Sequence, residues 1–233
     1  MKRVLLKLSG EALAGENKTG FHEQTCIAVA KQVKKLVDDG VEVGIVIGGG
    51  NFWRGRTSET IDRTKADQIG MLATVMNCIY VSEIFRFVGM TTEVFTPFVC
   101  GAFTQGFSKD AANAAFAQGK VCFFAGGTGH PYFSTDTATV LRAIEIEADV
   151  ILMGKKGTEG IYDKDPNEFA DAKKFDNISY SEILLRRLSV MDSTATSLCM
   201  DNDIPLVVFK IDDYENIYRA AIGEDIGTTV GGK

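Results

Sequence analysis

Three short apolar runs of β-forming residues in this chain lead straight into glycine-bearing turns, at Lys7-Leu8-Ser9-Gly10, Gly48-Gly49-Gly50-Asn51 and Gly126-Gly127-Thr128-Gly129. Glycine at a strand end lets bare backbone amides approach an anion, although it also serves simple chain reversal. One such turn carries little weight. Three of them at equivalent ends of separate strands would converge on one edge of a parallel sheet, and that points to a site for several phosphates.

The segments between the turns alternate in type. A strand over residues 3–8 precedes a helical pattern at Ile27, Val29, Ala30, Val33, Leu36 and Val37, with Gly40 placed to stop it. A second strand spans Glu42 to Ile47, and a long helix, apolar over more than one face, covers roughly 64–87. Then follow a strand near 91–96, a helix near 109–118, a strand at 120–125, a helix from Asp136 to Ala148 and a strand at 150–153. Helices near 181–188 and 193–202 and a late strand from Pro205 to Lys210 complete the pattern. Strands separated by helices imply a mostly parallel sheet, hence an α/β protein built as a three-layer αβα sandwich.

With 233 residues, 45% of them apolar, the chain can bury a large core, and the absence of a Pro-, Ser- or charge-rich linker argues for one domain over residues 1–233. A net charge of −6 argues against a general nucleic-acid surface, which needs clustered Lys and Arg. Cys26, Cys78, Cys100, Cys122 and Cys199 lie far apart among apolar neighbours, without CxxC spacing, and read as small buried thiols of a protein in a reducing cytoplasm. No signal-type segment opens the chain and no apolar run approaches the ~20 residues of a membrane span, so no membrane partner is expected.

The segments KLSGEAL at 7–13, IGGGNFWRG at 47–55, MLATVMN at 71–77, GTGHPYFSTD at 127–136, RAIEIEAD at 142–149, GIYDKDP at 160–166 and VMDSTA at 190–195 together resemble bacterial UMP kinases, the uridylate kinases of the amino-acid-kinase fold. The blocks occur in that family's order along almost the whole chain. The resemblance implies transfer of the γ-phosphoryl group of ATP to UMP, giving UDP. It also implies that the N-terminal part mainly binds UMP and forms the oligomer, while the C-terminal part mainly binds ATP.

Phosphoryl transfer between two anions needs positive charge and oriented donors more than a covalent nucleophile, because the acceptor phosphate itself attacks. Lys7, followed by Leu8, Ser9 and Gly10, offers an ammonium and turn amides to the ATP phosphates. By resemblance, Gly49 lies beside UMP and Gly50 and Arg54 beside ATP, with the Arg54 guanidinium stabilising charge in the transition state. Asp67, read as standing before the long helix, is either an exposed helix acid or, as in similar kinases, the acceptor of the UMP ribose hydroxyls. Thr128, Gly129, His130, Pro131, Tyr132, Phe133, Ser134 and Thr135 supply the remaining UMP contacts, with His130, Tyr132 and Ser134 departing from the Asn, Phe and Thr common in the family. His130 is assigned to binding, since an ionised acceptor phosphate needs no base.

Asp136 and Asp192 precede helical segments, so each is either a helix cap or an organiser of cationic groups near the phosphates, the latter role implied by the resemblance. The adenosine end of ATP falls on Lys156, Tyr162 and Asp165, although the unusual stretch 154–159 leaves the register between Lys155 and Lys156 open. Mg²⁺ is expected to arrive with ATP, held mainly by phosphates and water, without a dedicated protein cage.

The resemblance further implies a homohexamer using the long helix at a subunit contact, and inhibition by UTP. Residues 78–100 contain only Arg86 as a strong cation, which argues against activation by GTP. Two other readings stand beside UMP phosphorylation. A related amino-acid or carbamate kinase lacks support at GTGHPYFSTD. A non-catalytic nucleotide-sensing module predicts loss of Lys7, Arg54, Asp136 and Asp192, all of which are present.

Overall fold

The computed structural model describes residues 1–17, 19–53 and 60–232. Its strands are β1 (Arg3–Leu8), β2 (Glu42–Ile47), β3 (Thr92–Thr96), β4 (Gln105–Gly106), β5 (Val121–Phe124), β6 (Val150–Lys155), β7 (Asn177–Ile178), β8 (Leu206–Lys210) and β9 (Thr228–Val230). They form one nine-stranded sheet in the order β4-β3-β5-β2-β1-β6-β8-β9-β7. Every pairing is parallel except β8 with β9. The connecting helices are α1 (Gly10–Ala14), α2 (Glu23–Asp38), α3 (Arg63–Phe87), α4 (Lys109–Ala117), α5 (Thr135–Glu145), α6 (Tyr180–Arg186), α7 (Ser193–Asp201) and α8 (Glu215–Ala221).

The central strands are apolar at nearly every position because both sheet faces are covered. Along β1, Val4, Leu6 and Leu8 enter one core and Leu5 the other; along β6, Val150 and Leu152 share the first core while Ile151 and Met153 join the second. The first core is closed by α2, α3 and α8 through residues such as Val33, Phe85 and Ile217, and the second by α4 to α7 through Phe116, Val140, Ile183 and Cys199. This is the expected αβα sandwich. Cys26, Cys78, Cys122 and Cys199 are buried and Cys100 is half-buried. Burial pushes the thiols of Cys26, Cys78 and Cys122 up to about 12 and that of Cys199 to about 11, so they remain protonated, unreactive core groups.

The apolar span of α3 corrects one expectation. By length and composition this helix is long enough to cross a membrane, but half of that span is buried inside the protein. It packs on β2, β3 and β5 and bonds to the glycine turns, as a core helix does.

Candidate active site

The turns after β1 and β2 interlock. Ser9 caps α1, its hydroxyl accepting from the Ala12 amide at 3.1 Å. Gly10 has no room for a side chain: a Cβ there would lie 2.2 Å from Asn51 Oδ1 and 2.6 Å from the Gly48 carbonyl. Asn51 is clamped in turn by buried Asn77 of α3, which donates to Asn51 Oδ1 at 2.8 Å and to the Gly48 carbonyl at 2.7 Å. The Trp53 indole donates to the Ala66 carbonyl at 2.8 Å, and Thr74 Oγ1 accepts from the amide of Gly126 at 2.8 Å. All three glycine turns are therefore tied to one helix, and they line one cavity of about 590 Å³ at the C-terminal edge of the sheet.

Two lysines meet at this edge. Lys7 near the end of β1 places Nζ 2.8 Å from Asp136 Oδ1, both side chains being largely buried. Lys155 ends the neighbouring β6 and donates to the Val190 carbonyl at 2.6 Å. Its pKa is lowered, first by burial and then by the Lys7 cation, with Asp136 opposing the shift. A desolvated ammonium that has no ion pair of its own among the described residues is suited to receive an anion.

The capping expectation holds for Asp192 and fails for Asp136. Asp192 accepts from the Ala195 amide at 2.9 Å and from Thr137 Oγ1 at 3.2 Å, and Ser134 Oγ also donates to it, so this carboxylate joins the starts of α5 and α7. At α5 the cap is Ser134, whose hydroxyl accepts from the Thr137 amide at 3.0 Å. Asp136 lies inside the first turn, which frees its carboxylate for Lys7.

Asp67 does not precede the long helix but lies within it, one turn in. Its Oδ2 accepts from Arg63 Nε at 2.9 Å and from the Tyr132 amide at 2.8 Å. Thr128, His130, Phe133, Ser134 and Thr135 line the same cavity as Asp67, together with Ser9, Gly49 and Gly50. Leu8 is fully buried in the core, and Gly129 packs against Pro97. Pro131 and Tyr132 do not line it. Arg54 lies outside the described residues.

A second cavity of about 450 Å³ holds Tyr162 and Asp165 with Ile161, Leu188 and Val208, and adjoins the first at Lys155, Ser189 and Val190. Lys156 is exposed and lines neither cavity, whereas Lys155 lines both. Among the described residues, no three His, Cys, Asp or Glu side chains gather to hold a metal ion.

A profile of the amino acid kinase family matches residues 2–210. The chain belongs to the amino acid kinase family. Among solved structures, the UMP kinase of Bacillus anthracis is 35% identical, with a TM-score of 0.95 over 99% of this chain and 96% of that one. The UMP kinase of Ureaplasma parvum is 33% identical, with a TM-score of 0.94 over 99% of both chains. The uridylate kinase of Archaeoglobus fulgidus is 25% identical, with a TM-score of 0.75 over 99% of this chain and 100% of that one. For an amino acid kinase, two cavities meeting at Lys155, with Lys7 in the first of them, form a sensible frame for moving a phosphoryl group from one anion to another.

Sequence reasoning gave no role to Arg63 or Asn77, and named Asn51 only as part of the second glycine turn. The two asparagines carry a signal, since amides in apolar surroundings must satisfy one another when buried. Arg63 carries a weaker one, a cation at the start of a helix.

Proposed function

We propose that this protein transfers the γ-phosphoryl group of ATP to UMP, forming UDP and ADP in pyrimidine nucleotide synthesis. The observation that carries this reading is the junction of the two cavities at Lys155, with the Lys7–Asp136 pair in the first of them beside the glycine turns. Likeness to the UMP kinases of B. anthracis and U. parvum supports UMP as the acceptor.

In this reading the acceptor occupies the larger cavity, its ribose hydroxyls on Asp67, its phosphate by Gly49 and its uracil against the 128–135 segment. ATP places adenosine in the second cavity near Tyr162 and Asp165 and runs its phosphates past Lys155 toward Lys7, Ser9, Gly10 and Gly50. An oxygen of the UMP phosphate attacks the γ-phosphorus as the bond to the ADP oxygen breaks. The acceptor is already ionised near neutral pH, so no side chain need take a proton. Lys7 and Lys155 supply fixed positive charge, and Asp136 keeps the Lys7 ammonium aimed along the cavity. Arg54 keeps the charge-stabilising role that the sequence resemblance assigns it. Mg²⁺ bound to the ATP phosphates would neutralise further charge, and Asp136 is the cavity carboxylate best suited to stand beside it.

Ile69, Leu72 and Met76 expose 39%, 52% and 49% of their surface along one stripe of α3. That stripe supports a homo-oligomer, and we propose the hexamer. UTP is the expected inhibitor, its uridine taking the acceptor cavity and its extra phosphates extending toward the donor side. The setting is the cytoplasm. A coupled assay for ADP with UMP, CMP, dTMP, acetylglutamate and carbamate tests the reaction. Formation of ADP that depends on UMP is expected; its absence, or turnover of acetylglutamate or carbamate instead, would sink the reading.

A further inference from the structure

Arg63 sits where local rules disfavour it. It is the first residue of α3, whose first turn contains no acid, so a cation stands against the positive end of the helix dipole. Its ion pair with Asp67 also runs cation-first along the helix, the less favourable order. With 38% of the Arg63 side chain in solvent, the pair contributes little to stability. A residue that breaks local preferences without a stabilising return is a candidate for function.

Its surroundings indicate which function. Arg63 lines the acceptor cavity and binds Asp67 Oδ2 through Nε at 2.9 Å, while its guanidinium carbon stands 5.3 Å from the centre of the Tyr132 ring. Tyr132 donates its own amide to the same oxygen at 2.8 Å and adopts φ 72°, a left-handed conformation that an aromatic residue rarely takes. One guanidinium thus braces two elements at once, the start of α3 and the loop carrying His130 to Ser134. The Asp67 side chain, 15% exposed, is held between them.

We propose that Arg63 is a positioning residue that sets the discrimination between ribose and 2′-deoxyribose acceptors. Resting on the reading of Asp67 as partner of the ribose hydroxyls, Arg63 fixes the carboxylate so that it meets both hydroxyls of a diol. A nucleotide lacking the 2′-hydroxyl draws only part of that benefit and depends less on the alignment.

The test compares wild type, R63Q and R63K with UMP and dUMP as acceptors, measuring kcat and KM, with calorimetric binding of each nucleotide in the absence of ATP. R63Q should raise KM for UMP about tenfold, the scale of one weakened charge-assisted hydrogen bond, with kcat changed less than about twofold. The preference for UMP over dUMP should shrink by a similar factor, and R63K should recover part of it by restoring the charge. Y132G, which keeps the amide donor and relieves the left-handed strain, should melt no lower than wild type yet lose part of the same preference. Equal losses for UMP and dUMP in R63Q, or unchanged KM, would overturn the proposal. A wild type that binds UMP and makes no ADP would defeat the phosphotransfer reading alone, leaving the binding contrast to decide Arg63; a wild type that binds neither nucleotide overturns both.

Discussion

The acceptor side and the donor side of the cleft are built by different means. On the acceptor side, polar side chains bond across the fold: Asp67 takes the amide of Tyr132, 65 residues away, and Ser134 reaches Asp192, 58 residues away. On the donor side the polar side chains bond close by, Asp165 to the amide of Asn167 at 2.8 Å and Lys164 to Asp171 at 2.6 Å. The backbone there is anchored through the Ile161 amide on Thr228 Oγ1 at 2.9 Å, and the turn at 160–167 faces the cavity together with Leu188, Val190 and Val208 from other elements. The polar groups of the acceptor wall are thus held by tertiary contacts and those of the donor turn by local turn chemistry. Substitutions at the junction should therefore reach catalysis, those on the acceptor wall should chiefly change UMP affinity, and those in the donor turn should change ATP affinity alone.

The largest effect is expected at the junction. Lys7→Ala removes a desolvated cation from the path of the transferring group and leaves Asp136 without its partner, so kcat should fall by about 100- to 1,000-fold. UMP binding, measured calorimetrically without ATP, should change far less. A loss confined to KM would mean that Lys7 serves binding, and the division of labour at the junction would have to be redrawn.

Lys155→Met comes next, and its effects on function and stability should have opposite signs. Burial and Lys7 lower the Lys155 pKa, so the folded state resists protonation more than the unfolded chain does. That cost is present in full below the lowered value and is relieved as pH rises toward the ordinary lysine range. Removing the ammonium should raise KM for ATP about tenfold or more without lowering the melting temperature near neutral pH, and should flatten the rise of stability with pH on the alkaline side. ATP affinity in the wild type should decline as pH climbs through the lowered lysine range, with proton uptake on binding. A pH-independent affinity there would separate Lys155 from the phosphates.

Asp67→Asn keeps an oxygen for the Tyr132 amide but loses the charge that holds Arg63. KM for UMP should rise roughly tenfold, with a smaller change in kcat. A mainly kcat effect would show that the acceptor wall acts on the reaction itself.

Much of this contrast was legible in the residues, and the failures share a cause. Strands β1, β2 and β6 declare themselves because burial on both faces makes them continuously apolar, and each is long enough to show it. Strands β4 and β7, with two residues each, and β9, with three, carry too little pattern to read. The sequence reading ended β6 two residues early and so left Lys155 undecided. Carried to its observed end, the period of two puts Lys155 on the same face as Ile151 and Met153, just as Lys7 shares a face with Leu5. That face is covered by α5, which brings Asp136. For Asp136 the residues left cap and charge organiser open, because Ser134 competes for the cap two residues earlier, and the fold shows that Ser134 caps while Asp136 pairs with Lys7.

The smallest effect should come from the donor turn. Asp165→Ala removes the acceptor that binds the Asn167 amide and its Nδ2 at 2.8 and 3.0 Å, loosening one exposed turn. KM for ATP should rise about two- to fivefold, the scale of one partly solvated hydrogen bond, with kcat and KM for UMP unchanged. This substitution asks the most of the contrast between the two sides, because it predicts confinement. If Asp165→Ala also weakened UMP binding, the donor turn would be coupled through Val190 and Lys155 to the acceptor wall, and the two cavities would act as one preorganised unit.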